Sequence, residues 1–306
     1  KPSVNQATAA VISQPNSGKS QGVTGRKLGP ITLDGISLGF TGSQVEMHLD
    51  GCLSLSNVKL ILNDLVLSID IKKVMDGYLI AALGADLAGL DLYLKTGSFS
   101  LAGGLLRHKT SDIEGEEYVG QLALRTKTLS LSALGSYASL PNGQKSLFAY
   151  LAVNYPIGGI PAFFVEGLAL GFGYNRGIAL PDVKDVHQFP LVTALKGKGQ
   201  NIGAKLDQQA LTVLKQQSQA LSRYLPTSLG QNMIAAGIKF NSFKLVDSVA
   251  VLMVEFGQRL AMHLVGTSSM RLPAVAANRR AIANIEMNYR VSLAPSEGVF
   301  KLESVL

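Results

Sequence analysis

From Ile31 onward apolar residues recur at every second position, and this period of two constrains the fold more than any other feature of the chain. Ile36, Leu38 and Phe40 share one parity, and Val45, Met47 and Leu49 alternate with Glu46, His48 and Asp50. Leu65, Leu67, Ile69 and Ile71 alternate with Val66, Ser68, Asp70 and Lys72. Successive side chains of a strand point to opposite faces, so such runs read as strands, each with one face for a core. Turn residues interrupt them at spacings of about eight to twelve positions, as an all-β domain requires. Asp34-Gly35, Gly51, Asp76-Gly77 and Pro141-Asn142-Gly143 are such breaks, and Asp76-Gly77 reads as a hairpin turn.

The pattern continues through Tyr78–Leu94, Gly97–Arg107 and Val119–Leu134. Lys244–Leu264 is apolar at both parities, which fits a strand buried on both faces or a helix; Met233–Phe243 is ambiguous. Ala283–Val291 and Val299–Leu306 read as strands around a Pro295–Gly298 turn. The spacing of three and four appears in Ala204–Leu225, where Leu206, Leu211, Leu214, Leu221 and Leu225 predict a helix ended by Pro226. The expected fold is mainly β: an elongated or layered antiparallel sheet, β-solenoid-like or curved, with one or two helices in the second half. Residues 1–30 read as an extended polar arm and 31–195 as a β-rich module. Residues 196–306 read as a helix with further strands, continuing the sheet or forming a second subdomain.

Composition narrows the function. Charged residues are 16% of the 306, against about a quarter in most soluble domains, so most of the length must be buried or must meet a partner. The net charge is +7, but the basic residues lie scattered (Lys72-Lys73, Arg107, Arg125, Lys196, Arg279-Arg280) with few aromatics between them. A solvated basic surface explains this better than nucleic-acid binding. Cys52 is the sole cysteine, so no internal disulfide forms. The apolar stretch Leu147–Tyr174 contains Pro156, Pro161, Gly158-Gly159, Gly167, Gly171 and Gly173. A membrane helix would be broken repeatedly there, and two strands joined by a Gly-Pro turn are expected instead.

That stretch carries the most specific motif: Gly158-Gly159-x-Pro161-Ala162-Phe163-Phe164, then Gly171-Phe172-Gly173-Tyr174-Asn175-Arg176, then Phe189-Pro190-Leu191-Val192. With Leu28–Ile31 and Tyr118–Ala138, it resembles a large family of long β-rich proteins known mainly as a domain of unknown function. The resemblance covers residues 28–195 well and the rest loosely. It implies a β module within a longer chain and no activity. By their own chemistry, Gly171 and Gly173 let the backbone pass close to another element. Gly158, Gly159 and Pro161 shape a tight connection, and Asn175 and Arg176 cap the strand end.

No catalytic, cofactor or metal-binding residue is singled out. Gly18-Lys19-Ser20 lacks the first glycine of a phosphate loop, and Gly171-x-Gly173 lacks the third glycine of a dinucleotide fingerprint. His48, His108, His187 and His263 have no partner at ligand spacing. Asp112, Glu114, Glu116 and Glu117 read as a solvated acidic loop without calcium-loop spacing. The expectation is a non-enzymatic structural or assembly module that pairs through strand edges and its N-terminal arm. Its partner is itself or the rest of a larger chain. The alternatives are a carrier of lipid or another apolar ligand in a greasy groove of the sheet, and a polysaccharide hydrolase. No cofactor is expected.

Overall fold

A computed structural model describes residues 20–22, 26–108, 116–140, 143–197, 219–272 and 283–306. Short strands β1 (Ser20–Gly22) and β2 (Arg26–Leu28) are followed by β3 (Ile31–Thr41), β4 (Gln44–Ser54) and β5 (Val58–Asp70). Helices α1 (Ile71–Met75) and α2 (Leu79–Ala82) lead to β6 (Leu83–Lys95), β7 (Phe99–His108), β8 (Glu116–Thr126) and β9 (Ser130–Ser139). Next come β10 (Lys145–Ile160) and β11 (Phe163–Tyr174), a 3-10 turn η1 (Val183–Gln188) and helix α3 (Pro190–Lys196). The chain closes with β12 (Gln231–Ser242), β13 (Val246–Gly257), β14 (Ala261–Leu272), β15 (Ala283–Ala294), a 3-10 turn η2 (Pro295–Glu297) and β16 (Val299–Val305). Along the sheet the strands follow chain order, and β1 and β2 both pair with β3.

The fold is thus mainly β, as the alternation predicts. Two details differ. The ambiguous segment around Met233 is strand β12, and the segment apolar at both parities is not one element but β13 and β14, joined by a turn at Gly257. Asp76-Gly77 is not a two-residue hairpin, because Asp70 caps α1 through its side chain on the Lys72 and Lys73 amides and commits the next residues to helix. The helix expected over 204–225 is described only in part: 219–224 are helical, and 204–218 lie outside the described residues, as do residues 1–19 of the polar arm.

The chain divides into two compact units. The first comprises residues 1–53 and 62–88. Asp64, at φ +45, turns its amide to Asp50 Oδ1 at 2.8 Å and its carboxylate to His48 Nδ1 at 2.5 Å. This gives His48 a structural partner.

The second unit comprises residues 54–61 and 89–306 and holds the main core. Along β9 to β13 one parity is buried, including Phe148, Tyr150, Ala152, Ala169, Met233, Ala235, Val251 and Met253. We call this the inner face. It is covered by residues 177–197: α3 lies over β9–β14 and η1 over β14–β16. Leu191, Val192 and Leu195 are fully buried there, and Phe189 stacks edge-to-face on Tyr224 of the 219–224 helix at 5.5 Å. α3 starts with Pro190, whose missing amide costs nothing in the first turn, and ends at Gly197 in the left-handed region. Leu195→Ala, at a position with no exposure, is expected to cost about 2–5 kcal/mol. Leu170→Ala on the opposite face, at 70% exposure, should cost about 0.5 kcal/mol or less. Urea unfolding checks the contrast, and equal losses would mean that the inner face is not the core.

Candidate interaction surface

The family-like motif divides by parity. Inward, a Cβ at Gly171 would stand 2.7 Å from Tyr150 Cδ2, and one at Gly173 2.6 Å from Met233 Cγ and 2.9 Å from Arg176 Cβ. Only glycine leaves room for these three side chains. Outward, Leu168, Leu170, Phe172 and Tyr174 are exposed. At the other end of the hairpin Gly158 and Gly159 have φ of +113 and +146, and a Cβ at Gly159 would lie 2.2 Å from the Phe163 carbonyl oxygen. Pro161 accepts a hydrogen bond from the Phe243 amide at 2.8 Å; Phe163 packs on Phe240 with centroids 4.6 Å apart, and Phe164 is half-buried.

Asn175 and Arg176 carry the chain off the sheet and under its cover. Asn175 has φ +54, a conformation asparagine tolerates better than most residues. Its Nδ2 donates to the Lys145 carbonyl at 2.8 Å, its Oδ1 accepts from the Gly230 amide at 2.8 Å, and its carbonyl accepts from Ser146 Oγ at 3.0 Å. Arg176 is 1% exposed; its Nη1 donates to the Leu225 carbonyl at 2.8 Å and pairs with Glu117 Oε1 at 2.8 Å. Burial pulls the guanidinium below its ordinary value, and the Glu117 charge and hydrogen bond work against that. Ser222 Oγ donates to Glu117 Oε2 at 2.8 Å, so three distant segments meet at one carboxylate. The acidic-loop expectation is corrected here. Glu116 is exposed and pairs with Arg107 at 3.4 Å, but Glu117 is 3% exposed because β8 turns its parity inward. Asp112 and Glu114 lie outside the described residues.

One turn further, the Ile178 amide donates to Glu255 Oε1 at 2.6 Å. Glu255 Oε2 meets Arg259 Nη2 at 2.8 Å and His263 Nε2 at 3.4 Å, and His263 Nδ1 lies 3.1 Å from Ser292 Oγ. Burial alone would raise the Glu255 carboxyl, but the His263 and Ile178 hydrogen bonds and the Arg259 charge outweigh it and hold the group below its usual value. Serine, histidine and glutamate stand in line, yet the carboxylate is committed to a backbone amide and an arginine. The array fastens the cover. His187, on η1, is exposed and bonded to the Lys184 carbonyl.

Register exposes the outer face. Leu122, Ala133, Leu151, Leu170, Ala236, Leu252, Leu264, Val291 and Leu302 stand opposite one another from β8 to β16. Every position in that row is apolar. At about 4.8 Å per strand it runs for roughly 38 Å. An antiparallel sheet with one solvated face should carry polar residues there. Beside the row lies an open trough of about 400 Å³, floored by Gly120 and Gly135 and walled by Leu105, Leu122, Tyr137 and Leu147. The sequence shows the apolar residues of this face, but not that their parity lacks a cover among the described residues.

The chain belongs to a family of unknown function (DUF6603), whose model matches residues 24–306. No curated protein matches it. Two solved structures are similar at low scores. One is a bacterial polysaccharide outer membrane secretin, at 9% identity and TM-score 0.32, over 90% of this chain and 84% of that one. The other is OccK2 (OpdF) of Pseudomonas aeruginosa in complex with glucuronate, at 8% identity and TM-score 0.22, over 89% of this chain and 91% of that one. Scores so low say nothing of this chain's role.

Two outcomes follow from the buried charges. Arg176→Met should cost about 3–5 kcal/mol, because it strands the Glu117 carboxylate. Adding Glu117→Leu should restore part of that loss, as denaturant midpoints of the single and double variants would show. The second outcome concerns acid. Glu255 is held below the unfolded carboxylate value of about 4.3, so its contribution is present above that pH and is lost as pH falls through the lower folded value. Acid should therefore destabilise the native chain more steeply than Glu255→Gln, as urea midpoints across that range would show.

Proposed function

We propose that this chain is a non-enzymatic assembly module whose partner is a second copy of itself or another part of a longer β-rich chain. The apolar row across β8–β16 carries the reading. A continuous apolar row across nine strands is left in water, and broad exposed apolar patches mark interaction sites. The last strand adds to the case. Among the described residues β16 pairs only with β15, and Val299, Phe300 and Leu302 on it are exposed. An open strand edge with apolar side chains accepts another strand readily. The part of the N-terminal arm at residues 1–19 enters this reading from sequence only.

A second reading, a carrier of apolar ligands, has its own support in the trough between Leu105 and Leu147. An acyl chain would find apolar walls and a floor of backbone there.

Native mass spectrometry separates the two. Defined oligomers that become monomers with Leu170→Lys or Leu302→Lys support assembly. These positions are exposed, so the variants should keep their melting behaviour. A monomer carrying removable masses of lipid size supports the carrier. A bare monomer at micromolar concentration would sink both readings for this chain acting alone.

A further inference from the structure

Strand β16 has β15 on one side and, among the described residues, no strand on the other. Leu302 is the middle of its seven residues, with Lys301 and Glu303 next to it, then Phe300 and Ser304, then Val299 and Val305. Register sets Phe300 opposite Leu293 and Leu302 opposite Val291, on the outer face, and leaves Lys301 and Glu303 on the inner parity. Edge strands are commonly blunted by a charge, most often a lysine, which an apolar neighbour leaves unmatched. A lysine and a glutamate two positions apart favour a neighbour that carries the same two charges in reverse order. The same strand, run antiparallel, does so.

Symmetry then restricts the register. In an antiparallel pair of identical strands, residues equidistant from the centre oppose each other and the contact is isologous. Centred on Lys301 or Glu303, the pair would set like charges face to face, which destabilises. Centred on Leu302, it engages all seven residues. Lys301 then opposes Glu303 on both sides of the axis, Val299 opposes Val305, Phe300 opposes Ser304, and Leu302 meets its own counterpart.

The pairing does not require free charges. Within one chain Lys301 Nζ lies 3.1 Å from Glu303 Oε1, and Arg290 Nε donates to Glu303 Oε2. Arg290 stands opposite Glu303 on β15. The pair would therefore align Arg290, Glu303 and Lys301 of the second copy across three strands, with the carboxylate between two cations. A carboxylate has acceptor sites for both. We infer that β16 pairs antiparallel with β16 of a second copy, centred on Leu302. This rests on the assembly reading and names its edge contact, and it carries the outer apolar row from one copy into the next.

Covalent capture tests the register, with Cys52→Ser as the background because Cys52 is the sole native cysteine. Directly opposed residues of antiparallel strands have Cα atoms about 4.5–5.5 Å apart, inside the disulfide range of about 4.4–6.8 Å. Leu302→Cys should give a linked dimer on mild oxidation, and so should a mixture of Phe300→Cys and Ser304→Cys chains. Phe300→Cys or Ser304→Cys alone should not, since each would stand about 14 Å along the strand from its counterpart. Lys301→Glu, at a side chain 57% exposed, should weaken the dimer by about tenfold or more in analytical ultracentrifugation. An unchanged melting transition shows that each variant is folded. Oligomers that resist capture at Leu302, that link at all three positions alike, or that Lys301→Glu leaves intact would overturn this register while assembly through the outer face still stands. A chain that stays monomeric would overturn both.

Discussion

The second unit depends on one cover segment staying seated. Strands alone give β7–β16 two faces, and only residues 177–197, with the helix at 219–224, turn one of them into a core. Buried apolar side chains hold the cover down, and polar groups fix its position. Asn175 pivots the chain off β11, Arg176 is drawn inward to Glu117, and Glu255 takes the Ile178 amide. Further along, Arg290 Nη1 holds the Pro181 carbonyl at 2.6 Å, Tyr150 Oη donates to the Leu191 carbonyl at 3.2 Å, and Arg125 reaches the Gly197 carbonyl at 3.4 Å. Leucines alone would bury the segment but would not fix its register, whereas Arg176 Nη1 meets the Leu225 carbonyl and Glu117 in one arrangement only.

The motif at the end of β11 therefore serves two surfaces at once. Its inward glycines are narrow because Tyr150, Met233 and Arg176 occupy the space a side chain would need. Its outward residues are large and face away from any cover within the described chain. Period-two patterning normally settles which face is wet. Here both parities are apolar, so the outer face stays apolar where a solvated face would carry polar side chains.

Much of the strand architecture is legible in the sequence, because alternation is strong in segments such as Val45–Asp50 and turn residues are well placed. Where both parities are apolar, as in Val249–Val254, periodicity cannot tell strand from helix or mark where one strand ends. α3 was missed for a related reason: seven residues are too few for a period of 3.6 to show. The site was less legible. Glu117 reads as one of a solvated acidic group, since nothing local announces that Arg176, far along the chain, will claim it. The glycines, by contrast, signalled close approach correctly, although not what approaches.

Because the strands lie in chain order, synthesis delivers the sheet from one edge to the other. Each new strand finds its partner already present. The cover does not. Residues 177–197 emerge when only β11 and earlier strands exist, while η1 rests on β14–β16. At roughly 5–20 residues per second the chain needs on the order of ten seconds to supply that landing surface. For that interval the nascent sheet is greasy on both sides, so its safe passage off the ribosome depends on what shields the inner face before its own lid can settle.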